Sequence, residues 1–227
     1  MQHDTPYNLQ PETRVLVMTA VTAERDAVLR GLNNNSRFNV LVAGVGSVIA
    51  AVNTAKALAT AEYGLVISAG IGGGFSGRAE VGSLVVANEI IVADLGAQTP
   101  EGFRSVDELG FGAGCTKIQL NAHLVDQVTK AFVATNLLVR IGPILTVSTV
   151  TGTTERGLEL AARIPGATAE AMEGYGVGCA AFDRGLPVLE IRAISNLVGP
   201  RERSTWRIKE ALDVLEAASA VLTEVLV

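Results

Sequence analysis

Short runs of β-branched residues alternate with longer, alanine-rich segments along almost the whole chain, and this alternation limits the folds open to it. "RVLVMTAV" (Arg14 to Val21), "NVLVAGVG" (Asn39 to Gly46) and "GLVISAG" (Gly64 to Gly70) are continuous apolar runs of the kind that strands buried on both faces require. Between them, "AERDAVLRGL" reads as a helix with Glu24 and Asp26 near the positive end of its dipole, and "SVIAAVNTAKALATA" as a helix capped by Ser47. "SLVVANEIIVADLG" predicts a fourth, longer strand, and the glycine-rich stretch Gly96 to Gly114 a long loop. A helix over Asn121 to Thr135, a strand over Ile144 to Ser148 and a helix over Glu155 to Arg163 are expected next. The chain then closes with a helix from near Glu173, the strand "PVLEIRAIS" and a last helix from about Thr205. Strands separated by packed helices predict a three-layer α/β/α sandwich around a central mixed, mostly parallel sheet. Residues 1–12 are expected to form a flexible tail and residues 13–227 a single domain.

With 227 residues, 48% of them hydrophobic, the chain can bury a full core. A net charge of −5 without a basic block, and an aromatic content of 4%, argue against a nucleic-acid partner. Cys115 and Cys179 have neither metal-ligand spacing nor the density of a disulfide framework, which fits a reducing, cytoplasmic location. No apolar run reaches the ~18 residues needed to span a bilayer, and "MQHDTPYNLQ" lacks the order of a secretory signal, so no membrane association is expected.

The familiar motifs fail on context. Gly72 to Gly77 matches G-x-G-x-x-G, but it leads into a turn and a strand rather than the helix N-terminus that would receive a pyrophosphate. His3 and His123 are the only histidines and leave no serine or cysteine triad and no zinc cluster. Any catalysis must therefore rest on carboxylates and backbone groups. Ligands of such sheets sit at the carboxyl ends of the strands. Those ends collect Glu24, Gly44 to Ser47, Gly70 to Gly74, Thr149 to Thr153, Met172, Glu173, Arg192, Ser195 and Asn196. Two carboxylates, an arginine and an amide beside glycine-rich turns suit the cleavage of a glycosidic bond: one acid activates water, another grips sugar hydroxyls, and a donor stabilises the departing base.

Taken singly, each residue also has a structural reading. Glu24 and Glu173 are equally read as first-turn helix acids, and Asn196 as a turn former before Gly199 and Pro200. Arg192 needs a carboxylate partner wherever it is buried, and Trp206 is the kind of residue that packs a helix onto a core.

Several separated stretches, "VLVMTAVTAERDAVL", "VAGVGSVIAAVNTAKAL", "SAGIGGGFSGRAEVGSLVVA" and "AMEGYGVGCAAFDRGLPVLEIRAISN", resemble in order and spacing the purine nucleosidase and nucleoside phosphorylase superfamily. Within it, "VADLGAQTPEGFRSVDELGFG", "TVSTVTGTTER" and "ISNLVGPRERSTW" are similar to the futalosine hydrolases. Those enzymes release hypoxanthine from futalosine on a route to menaquinone, leaving dehypoxanthine futalosine. The resemblance implies a small-molecule nucleoside substrate, no metal or organic cofactor, and a homo-oligomer.

It also implies roles. Glu24 falls where hydrolytic members carry the acid that activates water, whereas phosphorolytic members have a basic, phosphate-binding loop. Met172 and Glu173 match a Met-Glu pair whose carboxylate accepts hydrogen bonds from the ribose hydroxyls, and Arg192 an arginine beside the water. Gly152 and Thr153 fall where backbone groups hold the purine edge, and Gly72 and Ser195 are counted with them as substrate-binding residues. Ile71 departs from the small polar residue common in that turn. Adenine-releasing relatives carry Asp where Asn196 stands; an amide cannot protonate the base, but its N–H donates a hydrogen bond, which suits the neighbouring N7 and O6 acceptors of hypoxanthine. Trp206 is expected to help close the site and Phe103 to wall it, with Arg201 and Arg203 candidates for the aromatic carboxylate beyond the 5′ carbon. An adenine-releasing nucleosidase, a phosphorylase and a non-catalytic nucleoside-binding module remain the alternatives.

Overall fold

The structure, a computed structural model, describes residues 9–10, 12–112 and 116–226. The continuous apolar runs become strands: β1 (Val15–Thr19), β2 (Phe38–Val42), β3 (Leu65–Gly74) and β4 (Leu84–Val92). The short β5 (Gly96–Thr99), β6 (Gly102–Ser105) and β7 (Lys117–Gln119) follow, then β8 (Val139–Thr146), β9 (Ala169–Ala171) and β10 (Val188–Leu197). The alanine-rich segments become α1 (Thr22–Gly31), α2 (Ser47–Thr60), α3 (Ala122–Ala134), α4 (Thr154–Arg163), α5 (Gly174–Asp183) and α6 (Ile208–Val225).

Eight strands form one mixed sheet in which β1 pairs in parallel with β2 and β3, and β3 with β10. The pairings then close on themselves. β10 runs antiparallel to β4, β4 is parallel to β8, β8 is parallel to β9, and β9 returns antiparallel to β3. Part of the sheet is thus a closed barrel, with β1 and β2 extending from one side and β7 adding to β4. Closure pairs both edges of every strand in the ring, and the parallel pairing of β3 with β10 brings their carboxyl ends together. Helices α1, α3 and α6 pack together on the sheet, and α2 with α5 forms the second group, giving the expected three layers. The main core joins Leu16, Ile67, Leu84, Ile90, Leu124, Phe132 and Ile144, all fully buried. A smaller cluster of Phe75, Ile91, Leu145, Val147 and Leu160 lies under α4.

Several expectations change. Ser47 is the first helical residue of α2 and not its cap; Gly46, at φ +97°, makes the entry turn instead. The stretch from Gly96 contains the hairpin β5–β6, reversed through Gly102 at φ +121°, because pairing across a turn supplies the order that the local pattern lacks. The strand expected from Ile144 starts at Val139, where parallel pairing with β4 overrides the Gly142-Pro143 break. The last helix starts at Ile208, after a 3₁₀ turn over Arg203–Thr205. Most of the expected tail lies outside the described residues, but Leu9 packs on the core and the Gln10 carbonyl accepts from Arg37 Nη2 at 3.1 Å. Among the described residues no helix is long and apolar enough to cross a membrane.

The α2–α5 crossing sets the position of the site, because α5 begins at one of the carboxylates discussed below. Its closest approach is at Gly176, where a Cβ would overlap the carbonyl group of Ser47. Replacing Gly176 with Ala should destabilise the fold by about 1–3 kcal/mol, the usual cost of overpacking. Chemical denaturation checks this; a loss below about 0.5 kcal/mol would mean the helices separate freely.

Candidate active site

The sheet register gathers the site. Opposite Ser68 on β3 stands Glu190 of β10, and opposite Gly70 stands Arg192. Residues two apart on a strand share a face, so the carboxylate and the guanidinium meet: Arg192 Nε donates to Glu190 Oε1 at 2.9 Å. Its other nitrogens donate to Glu173 Oε2 at 3.2 Å and to Ser68 Oγ at 2.9 Å. Arg192 is 1% exposed. Burial alone would lower its pKa, but the Glu190, Glu173 and Glu24 carboxylates outweigh that and hold it charged.

Glu24 reaches the same place from α1. It is the third helical residue, and its Oε2 accepts from the backbone N–H groups of Ala20 at 2.8 Å and Val21 at 3.1 Å, as a first-turn acid does. Its other oxygen accepts from Ile71 N on β3 at 2.9 Å. One oxygen of Glu24 thus serves the first turn of α1 while the other is turned to β3. Gly70 makes the meeting possible: a Cβ there would lie 2.6 Å from Glu24 Oε1 and 2.7 Å from Arg192 Nη1. Burial pushes the Glu24 carboxyl up, only partly offset by Arg192 and the backbone donors.

Glu173 stands at the start of α5, where its Oε1 accepts from Gly46 N at 3.1 Å and its Oε2 from Met172 N at 3.3 Å. The turn before α2 is thereby tied to the cluster. Glu190 has no exposure, and its Oε2 lacks a hydrogen-bond partner among the described residues. Burial raises its pKa, with Arg192 opposing. The sequence reading passed over Glu190, although its spacing of two from Arg192 in a strand was a usable signal. Among the described residues no cluster of metal-binding type gathers; these carboxylates are held by Arg192 and backbone amides.

A second group forms farther along the same strands. The pairing of β10 with β3 slips after Ile194, so that Ser195 is a bulge and Asn196 stands opposite Gly73. Ser195 Oγ donates to Asn196 Oδ1 at 2.8 Å and Asn196 Nδ2 donates to the Leu197 carbonyl at 3.0 Å, which together fix the amide's orientation and leave one N–H for a ligand. Ser195 itself is buried, also against the Gly72 carbonyl. Glu170, on β9, stands opposite Gly73 from the other side. Its carboxylate accepts from Thr151 N at 2.9 Å and Thr151 Oγ1 at 2.6 Å. Thr151 falls within the strand-end stretch Thr149 to Thr153, whereas no local signal marks Glu170, because β9 is a short strand recruited by pairing.

The remaining expectations divide. Arg201 stacks on Trp206, 5.2 Å from the ring centroid, and its Cβ lies 3.9 Å from where a Cβ of Gly152 would be. Gly152, Arg201 and Trp206 are thus neighbours. Thr153 caps α4 by accepting from Arg156 N at 3.2 Å, a structural task. Phe103 is not brought to the carboxylates. The β5–β6 hairpin lies along α4, and the Arg163 guanidinium sits 4.3 Å from the Phe103 ring centroid.

The arrangement can do glycosidic chemistry: a buried acid of raised pKa beside a fixed cation, a second carboxylate, and an oriented amide about three residues, ~10 Å, farther along the strand.

Comparison with known proteins agrees. Residues 6–227 match the model of the phosphorylase superfamily. The chain is 49% identical to the futalosine hydrolase of Streptomyces coelicolor, over 93% of this chain and 96% of that one. It is 44% identical to the futalosine hydrolase of Acidothermus cellulolyticus, over 91% and 89%. In fold it resembles the 5′-methylthioadenosine/S-adenosylhomocysteine nucleosidase of Neisseria meningitidis, with a TM-score of 0.80 at 19% identity over 93% of this chain and 99% of that one. A family model spanning nearly the whole sequence, and curated relatives at this identity, make the chain a member of the phosphorylase superfamily and, within it, of the futalosine hydrolase family.

Proposed function

We propose that this enzyme hydrolyses the N-glycosidic bond of futalosine, releasing hypoxanthine and dehypoxanthine futalosine. The observation that carries the reading is the Glu24, Arg192 and Glu173 arrangement around Gly70, with an amide rather than an acid at residue 196. In this mechanism the bond from C1′ to N9 stretches first and the ribosyl ring gains oxocarbenium character. Glu173 accepts hydrogen bonds from the ribose hydroxyls, and Glu24 takes a proton from the water that attacks C1′ from the face opposite the base. Arg192 offsets the negative charge of the acids and orients the water. Asn196 donates to the leaving purine, whose developing negative charge the oriented amide stabilises.

Water is favoured over phosphate as the nucleophile by charge. Glu24, Glu173 and Glu190 crowd one guanidinium, and an incoming phosphate would meet net repulsion. An adenine-releasing reaction is disfavoured because adenine needs an acid at N7 and presents a donor where Asn196 offers one. Arg201, held against Trp206, is the candidate cation for the substrate's aromatic carboxylate. The free thiol of Cys179 is in keeping with a cytoplasmic location.

Chromatography of futalosine digests, with and without added phosphate, should give hypoxanthine at equal rates. Release that requires phosphate would make the enzyme a phosphorylase, and release only from adenine nucleosides would reassign the substrate.

The raised pKa of Glu24 gives a signed expectation. A base must be ionised, so activity falls as pH drops through a value displaced upward from the usual 4.5. The acid limb of kcat should lie above 4.5, and Glu24→Gln should abolish that limb together with at least ~10²-fold of the rate. A limb at or below 4.5 would assign the base elsewhere.

We further propose that copies of the chain associate through the outer face of α2. Val48, Ile49 and Val52 there are 81%, 42% and 43% exposed, beside the exposed Val45. Such a contiguous apolar face is unusual on a monomer. Light scattering should report a dimer or larger, and Val48→Asp with Ile49→Asp should dissociate it; a monomeric parent would refute this interface.

A further inference from the structure

No step of the mechanism above uses Glu190. It has no solvent exposure, lies on β10 two residues before Arg192, and accepts from Arg192 Nε at 2.9 Å. Its other oxygen lacks a hydrogen-bond partner among the described residues. The carboxyl group rests against Gly174, the first residue of α5, where a Cβ would overlap both of its oxygens. It therefore lies at the positive end of the α5 dipole, which favours the ionised form.

Stability does not explain this group. Arg192 is already matched by Glu173 at 3.2 Å, and Glu24 faces it across Gly70, so Glu190 is a third carboxylate around one guanidinium. A buried carboxylate with one oxygen unbonded is unfavourable, and apolar replacements of buried ion pairs are often neutral or stabilising. What Glu190 does provide is direction. A guanidinium is a planar fork, so fixing Nε at one edge points both Nη nitrogens away from it. Nη2 then meets Ser68 Oγ at 2.9 Å, and Nη1 meets Glu173. Nη1 also borders the space beside Glu24, since a Cβ on Gly70 would lie 2.7 Å from Nη1 and 2.6 Å from Glu24 Oε1.

We infer that Glu190 is a positioning residue for the hydrolysis: it holds the Arg192 guanidinium with Nη1 turned toward Glu24 and Glu173, and its negative charge offsets part of the guanidinium's pull on Glu24. Being fully buried, Glu190 acts only through Arg192. The inference rests on the hydrolase reading, in which Glu24 must stay basic enough to take a proton from water. The charges that act on Glu24 are those of Arg192 and Glu173, and the same two act on Glu190. Among the described residues the elements packed around β10 contribute neutral groups here. β3 sets Ser68 opposite Glu190, β4 pairs through Leu84, Val85 and Val86, α6 buries apolar residues and Ser219, and on α5 Tyr175 bonds to Cys179.

The test is the pH profile of futalosine hydrolysis for the parent, Glu190→Gln and Glu190→Asp, with thermal unfolding of each. Glu190→Gln keeps an acceptor for Nε but not the charge. The guanidinium then pulls harder on Glu24, so the acid limb of kcat should move to lower pH, and kcat should fall about 3- to 10-fold as a charge-assisted hydrogen bond becomes a neutral one. Glu190→Asp keeps the charge but, one methylene shorter, withdraws from Nε. Its kcat should fall about 10- to 100-fold while its limb moves less than that of Glu190→Gln. In both variants KM should change less than kcat, because the residue does not touch the substrate. Rate losses that track the melting temperature with an unmoved limb would make Glu190 a structural part only and overturn the inference, as would a loss carried by KM alone. A nitrogen-15 spectrum of the parent tests the geometry even where a variant does not fold: an arginine Nε–H held by a buried carboxylate should remain visible at alkaline pH, and its absence would also overturn the inference. A parent that releases no base from futalosine would remove the hydrolase reading and this role with it, whereas an active parent with indifferent variants would remove the role alone.

Discussion

The guanidinium of Arg192 is the centre on which this structure depends. It lies in the interior of a strand, is 1% exposed, and bonds to Glu190, Glu173 and Ser68, drawn from three separate elements. Removing one partner of a buried pair typically costs about 3–5 kcal/mol, because the other charge is then left desolvated. The start of α5 and the middle of β3 are therefore held in mutual position by one side chain, and the other oxygen of Glu173 ties the entry to α2 to them. Glu24 joins this network without a direct ion pair to Arg192 among the described residues, facing it across Gly70. That separation leaves Glu24 oriented by backbone donors alone, those of Ala20, Val21 and Ile71.

The glycine-rich end of β3 is the second constraint. In a G-x-G-x-x-G reading these glycines would cradle a pyrophosphate; here they are strand residues that admit neighbouring side chains. Gly70 leaves room for Glu24 beside Arg192, and Gly73 lets Val198, Asn196 and Glu170 close over the strand. The bulge at Ser195 completes the pattern by shifting Asn196 from the alternation that serves Arg192 into register with Gly73.

Much of this was legible in the chain. Glu24 follows β1, and Arg192 and Asn196 lie in the last half of β10, strands whose apolar runs are unambiguous, whereas Glu173 follows the three-residue β9 and is marked by its Met-Glu pair. The placement of Phe103 was not legible, because a hairpin in a glycine-rich stretch has no local period and its docking against α4 through Arg163 is a long-range event. Glu190 was readable and was passed over: it lies two residues from Arg192 in a strand, on the same face. Glu170 was not readable, since β9 is only three residues long and exists as a strand only through its pairing with β3 and β8.

The sequence by itself determined the layered α/β architecture, the order of strands and helices and the chemical types at the strand ends, because these depend on local hydrophobic period and residue identity. Tertiary structure alone decided that the sheet closes into a barrel, that Arg192 is shared by three acids, and that Glu170 comes to stand across Gly73 from Asn196. Those outcomes depend on register between strands far apart in the chain. Register is set by which faces can be buried together and which backbone groups can pair, information that no single segment contains.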